Sequence, residues 1–254
     1  MSEPTSTPTR RVTDVAVSDS IPVFYRLLLR GQLTRGRMIG LGLLSAVAVL
    51  TGFLSRRAEG IDGSEGAALF AIGDFGIGIF VPLAALMLAI PMLGNLVEDR
   101  LLVYLWMKPT PRWHLAVAAL GAVATVVVAI TVLPVFASAL VAGFPSLAGP
   151  AALATLLGAL AYSSLYLWLG LRFSWGLWLG MAYLVLWENL FARLGDGTAR
   201  LSVRSYLLTI LEGGTDRSID LADRAPVAAV VVPLVVAAVA LFMTARTLQR
   251  RDVE

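Results

Sequence analysis

Apolar residues in this chain gather into long unbroken runs, not into the spaced stripe of a surface helix or the alternation of a half-buried strand. A helix crossing the roughly 30 Å hydrocarbon core of a bilayer needs about 20 such residues, and it satisfies its own backbone where no water can. Six stretches meet that need: Met38 to Leu54, Ala67 to Val97, Trp113 to Ala142, Pro150 to Leu171, Trp175 to Ala192 and Pro226 to Ala245. The pattern predicts an all-α polytopic membrane protein with six transmembrane helices. The first span is short, whereas the second and third exceed what a bilayer requires. That excess implies tilt, kinks at Pro82, Pro91 or Pro134, or extension past the membrane. The run VRSYLLTILEG, residues 203–213, is too polar to span and is expected to lie at an interface or to re-enter. No internal repeat recurs at a fixed period.

Ahead of the first span, residues 1–20 are polar and rich in Ser, Thr and Pro, the composition of a disordered tail and not of a secretory leader. Residues 21–37, IPVFYRLLLRGQLTRGR, sort as a helix with Arg26, Arg30, Thr34 and Arg37 near one face and Phe24, Leu27 and Leu28 on the other. Such a segment lies in the headgroup layer as an N-terminal amphipathic interfacial helix; the alternative is that these arginines are only the basic flank of the first span. The chain thus divides into a tail (1–20), an interfacial helix (21–37), a six-span domain (38–245) and a second tail (246–254).

Charge placement sets the orientation. Six spans leave both termini on one side, and of the 20 Lys and Arg residues thirteen fall on that side and seven on the other. The richer side is expected to be cytoplasmic, in a plasma (inner) membrane. Five of the seven belong to one outer segment, 193–224, together with Asp196, Glu212, Asp216, Asp220 and Asp223. A mean hydropathy of +0.81 and a net charge of only +3 fit a membrane protein and speak against nucleic acid as a partner.

One cytoplasmic stretch stands out, VEDRLLVYLWMKPTPRWHL, residues 97–115. Glu98 and Asp99 suit the N-terminal end of a short helix, and Pro109 and Pro111 stop it and turn the chain back. Leu101, Leu102, Leu105 and Trp106 are too apolar for a loop in water, so they require cover by the protein, by lipid or by a partner. From the residues alone the segment is either a docking element or a turn anchored by Trp106 and Trp113. The order of an amphipathic entry helix, two spans ending in EDR, and then LVYLWMKPTPRWHLAVAALG resembles the permease subunits of type-two ATP-binding-cassette (ABC) exporters. The resemblance implies that Glu98, Asp99 and Arg100 are the charged cluster of a short cytoplasmic coupling helix, Tyr104 and Leu105 its body, Pro109 its turn and Arg112 the basic residue opening the third span. It also implies docking of a separate ABC ATP-binding subunit, which would bind ATP and Mg, and a second permease copy, so that the working unit contains a homodimer. This chain departs from the family pattern at Leu101 and Leu102, where Gly-Thr is common, and at His114, near which a lysine is common.

The residues carry no catalytic constellation. Cysteine is absent, and the single histidine, His114, has no acidic residue at short helical spacing and cannot build a metal site alone. A phosphate-binding loop needs a lysine after glycine, yet the only lysine, Lys108, stands between Met107 and Pro109. No cofactor is therefore expected on this chain, and it is not expected to be an enzyme. Two acids fall within predicted spans, Asp74 in FAIGDFGIG and Glu188 in VLWENLF, both toward the outer end. A carboxylate at a span centre costs about 2.5–3.5 kcal/mol. Either they line a pathway for a cationic cargo or a proton, or they are neutralised locally, Glu188 by Arg193 or Arg200. Gly73, Gly76 and Gly78 allow another helix to approach there. The expected function is a permease subunit powered by a partner ATPase; the alternatives are a secondary transporter and a non-catalytic membrane assembly factor.

Overall fold

A computed structural model of the protein describes residues 20–58, 63–98, 112–190, 192, 196–219 and 224–250, with the backbone alone at Ser20, 95–98 and Asp196. Among these residues every regular element is a helix. In chain order they are α1 (Ser20–Gln32), α2 (Arg35–Ser55), α3 (Gly63–Leu69), a wide π-helix π1 (Phe70–Phe80), α4 (Val81–Glu98), α5 (Arg112–Ala142), α6 (Pro145–Arg172), α7 (Gly176–Ala182), a second π-helix π2 (Tyr183–Leu190), α8 (Asp196–Ala199), α9 (Val203–Glu212) and α10 (Pro226–Arg250). The tail at 1–19, the body of the expected coupling helix and residues 251–254 lie outside the described residues.

Five helices are long and apolar enough to cross a membrane: α2, the continuous helix of residues 63–94, α5, α6 and α10. The chain is thus built as a multi-pass membrane protein. The predicted span 175–192 does not form one long helix. Seven residues of α7 pass into eight of π2, fewer than the roughly 20 a single crossing needs. The α5–α6 connection shortens to Gly143 and Phe144, because Gly143 takes φ +95° and Pro145 starts the next helix with its φ preset. Pro91 and Pro134 both sit inside continuous helices.

The helix of residues 63–94 is central, with 78% of its apolar window buried, whereas α2 and α10 are peripheral at 22% each. Their outward faces, among them Leu43, Leu50, Phe53, Val231, Val235 and Phe242, are exposed apolar surface of the kind lipid covers. Inside a bilayer, helices gain little from the hydrophobic effect and associate through close packing of small residues. Gly170 of α6 meets the backbone of Ile90 in α4, and Gly52 of α2 meets Ser138 of α5; a Cβ at either glycine would clash.

Level markers along the bundle locate its ends. The Ser45 hydroxyl donates to the Ile130 carbonyl at 3.1 Å and Gly52 abuts Ser138, so α2 and α5 run in the same direction and the start of α2 lies level with about residue 120. α5 therefore begins roughly 12 Å beyond the start of α2 at 1.5 Å per residue. Gln32, buried at the end of α1, donates to the Leu88 carbonyl and to the Met92 sulfur at 3.0 Å, leaving α4 to run about 9 Å further to Glu98. α4 and α5 project together past the level of α1, and they flank residues 99–111.

α1 ends at Gln32, Leu33 and Thr34 break it, and Arg37 belongs to α2 instead. Its packed face is Phe24, Leu28 and Gln32, spaced four apart, held further by the Tyr25–Thr125 hydroxyl contact at 3.1 Å. Arg26 and Arg30 are exposed, as the sequence pattern requires, but so is Leu27 at 62%. The helix is docked on α5 along one edge and leaves Val23 and Leu27 outward.

Candidate functional site

The two acids inside the predicted spans both come to lie on π-helices, and one residue the charge count assigned to the outer loop joins them. Arg204, at the start of α9, is 1% exposed. Its guanidinium pairs with Asp74 of π1 and donates to the Asn189 side-chain oxygen of π2 at 2.7 Å. Gly78 makes room for it: a Cβ there would come within 2.9 Å of the guanidinium carbon. Gly73 similarly receives Leu208 and Leu211 of α9. The glycines thus serve close approach within the chain, and the segment they admit is the 203–212 helix, whose first six residues are all buried.

Glu188 is fully buried and accepts four hydrogen bonds: from the Tyr183 hydroxyl at 2.6 Å, the Ser202 hydroxyl at 2.5 Å, and the Val203 and Arg204 amides at 3.1 and 3.2 Å. The two amides are orphan donors of the first turn of α9, so this carboxyl group does the work of an N-cap and sits at the positive end of the helix dipole. Neutralisation by Arg200 does not occur, since Arg200 is exposed; Arg193 lies outside the described residues. The cluster ties π1, π2 and α9 into one unit. Beside it, Tyr166 stands edge-on to Tyr183 at 6.4 Å and stacks with Tyr162 at 6.1 Å. The hydroxyls of Tyr162 and Tyr166 and the Arg204 Nε are buried without a hydrogen-bond partner among the described residues.

Sequence reasoning missed Arg204 because an arginine between two loop-like stretches reads as solvated. One signal was available: two carboxylates inside spans call for a cation, and Arg204 is the arginine within the helix-forming stretch 203–213. Removing it from the outer tally leaves the orientation unchanged.

At the opposite end, Glu98 closes α4 and Arg112 opens α5, so the described boundaries bracket the expected coupling segment; Asp99, Arg100, Tyr104, Leu105 and Pro109 lie outside the described residues. Arg112 has a second role. Its guanidinium donates to the carbonyls of Leu248 and Gln249 at 2.9 and 2.8 Å, capping the C-terminal turn of α10 where a cation opposes the helix dipole. His114 is buried at 4% with Trp113 edge-on at 4.1 Å. No group of three or more metal-ligating side chains occurs among the described residues. No protein-family model and no curated protein matches the chain.

Proposed function

We propose that this chain is the membrane-spanning subunit of an ABC exporter, driven by a separate ATP-binding subunit that docks on residues 98–112. The observation that carries the reading is the projection of α4 and α5 by about 9–12 Å past the level of α1, with residues 99–111 joining their ends. Apolar Leu101, Leu102, Leu105 and Trp106 need cover, which a docked subunit would supply, and the EDR cluster and Pro109 resemble the family's coupling helix.

In this mechanism, ATP binding closes the motor subunits, the 98–112 segment moves with them, and α4 and α5 act as levers. Each is a continuous helix that reaches the packed core, α4 at Ile90–Gly170 and α5 at Gly52–Ser138. The result is a population shift between inward-facing and outward-facing or closed states. The proposed functional unit pairs two copies of the chain, each with the five long helices and a sixth crossing made jointly by α7, π2 and α9, which meet at Glu188. Both termini are cytoplasmic, and ATP and Mg belong to the partner.

The π1–π2–α9 cluster favours a second reading, a secondary transporter, because irregular helices around buried charges are how such proteins hold ions. Dependence on an ATPase separates the two. Purifying the tagged chain from its native membrane in mild detergent should recover an ATP-binding subunit, and Glu98→Arg should lose it. Glu98 is the better probe because a change at Arg112 also releases the end of α10. Recovery of the chain alone across several detergents, with transport insensitive to ATP depletion, would move the assignment to the secondary transporter.

A further inference from the structure

A cavity of about 540 Å³ opens between the last turns of α6 and α10, lined by Trp168, Arg172, Met243, Arg246, Thr247 and Arg250. The spacing is regular: Trp168 and Arg172 are one turn apart on α6, while Met243, Arg246, Thr247 and Arg250 follow one face of α10. Polarity is layered in the same direction on both helices. Trp168 and Met243 lie a turn deeper into the span, and the three guanidiniums lie toward its end. Arg172, Arg246 and Arg250 are all exposed, and no ion pair neutralises any of them among the described residues. The Arg172 guanidinium is steadied over the Phe173 ring at 5.3 Å, and the Thr247 hydroxyl is committed to the Met243 carbonyl at 2.7 Å.

Three forked cations above an aromatic and a thioether floor match a phosphodiester carrying an apolar tail. We propose that this cavity binds the phosphate group of an anionic phospholipid from the leaflet at this end of the bundle, with the guanidiniums on phosphate oxygens and the lipid's glycerol and first methylenes against Trp168 and Met243. A zwitterionic lipid fits less well, because its own cation would face uncompensated arginines. The site joins the end of α10 to α6 beside the Arg112 cap, so an occupied cavity braces the end of the bundle from which α4 and α5 project.

The test is native mass spectrometry of the full chain released from detergent micelles doped with phosphatidylglycerol or phosphatidylcholine. One phosphatidylglycerol per chain should be retained, and Arg172→Gln/Arg246→Gln/Arg250→Gln should lower retention at least about tenfold, with an unchanged helical signal and unfolding midpoint. Arg172→Lys/Arg246→Lys/Arg250→Lys should fall between, since it keeps charge but loses the fork. Equal retention by wild type and the glutamine variant, or equal retention of phosphatidylcholine, would overturn the proposal. Displacement by millimolar inorganic phosphate would overturn the lipid assignment in favour of a free phosphate species. Loss of an acidic protein partner in the glutamine variant with lipid retention unchanged would likewise overturn it, making the patch a protein contact.

Discussion

Asp74 and Arg204 differ sharply in how they are buried, and that difference predicts unequal costs of breaking their pair. Arg204 has a side chain 1% exposed, whereas Asp74 retains 36%. Asp74→Asn keeps the shape but leaves a guanidinium in the interior with its charge uncompensated, its remaining partner being the Asn189 oxygen. Removing one partner of a buried pair costs about 3–5 kcal/mol, and this substitution belongs in that range, a loss of more than a hundredfold in the folded-to-unfolded ratio. Arg204→Met replaces the cation with a flexible apolar chain of similar length and leaves the carboxylate on the more exposed side, for a cost of about 1–2 kcal/mol. In the Arg204→Met background, Asp74→Asn should add less than about 0.5 kcal/mol, giving a coupling energy of roughly 2.5–5 kcal/mol. The assay is unfolding by increasing mole fraction of SDS in mixed micelles, followed by the helical circular dichroism signal. If the single changes cost the same and the double variant is their sum, the pair does not hold α9 in the bundle.

Glu188→Ala should cost about 3 kcal/mol or more, because four donors including two first-turn amides lose their acceptor; hydrogen exchange should show α9 opening before the rest, with Glu188→Gln milder. Gly78→Ala should displace the Arg204 guanidinium and reproduce much of the Asp74→Asn loss without touching a charge, measured by the same unfolding assay. Arg112→Ala should cost about 1–2 kcal/mol and raise exchange selectively in the last turn of α10, whose carbonyls it caps. Under the proposed transport role, combining Asp74→Asn with Glu188→Gln should change which cargo is carried only if that cargo is cationic or proton-coupled; unchanged transport of a cationic cargo would assign both acids to structure alone.

The arrangement around Arg204 explains why the chain interrupts two apolar segments with wide helices. A helix that begins inside the bundle brings its unpaired first-turn amides with it, and Glu188 from π2 meets them there while Asp74 from π1 meets the Arg204 guanidinium. At the other end of the molecule, capping is done in reverse, by Arg112 on the C-terminal carbonyls of α10. Strap contacts join the 63–69 helix to the segment after α9, where Glu65 receives the Thr215 hydroxyl at 2.7 Å and Arg217 at 3.2 Å.

How much was legible follows from how each feature is encoded. The α5 helix was predicted from 113 to 142 and runs from 112 to 142, because an unbroken apolar run bounded by Pro111 and Gly143 has only one way to satisfy its backbone in lipid. The amphipathic entry helix was visible in the separation of Arg26 and Arg30 from Phe24 and Leu28; its break at Leu33 and Thr34 was not, since nothing in the local pattern opposes continuation to Arg37. Apolar count likewise could not show that residues 175–192 form a short α-helix passing into a π-helix, because the period of a helix is set by what packs on it and not by its hydropathy. The sequence by itself determined a helical multi-pass protein, the extent of its most apolar span, and the need of two acids within apolar segments for compensation. Only the tertiary structure decided that α9 supplies it, through the Arg204 guanidinium for Asp74 and the Val203 and Arg204 amides for Glu188, because the partner of a buried charge is chosen by which segments the fold brings within a few ångströms, and residues distant in sequence carry no local mark of that meeting.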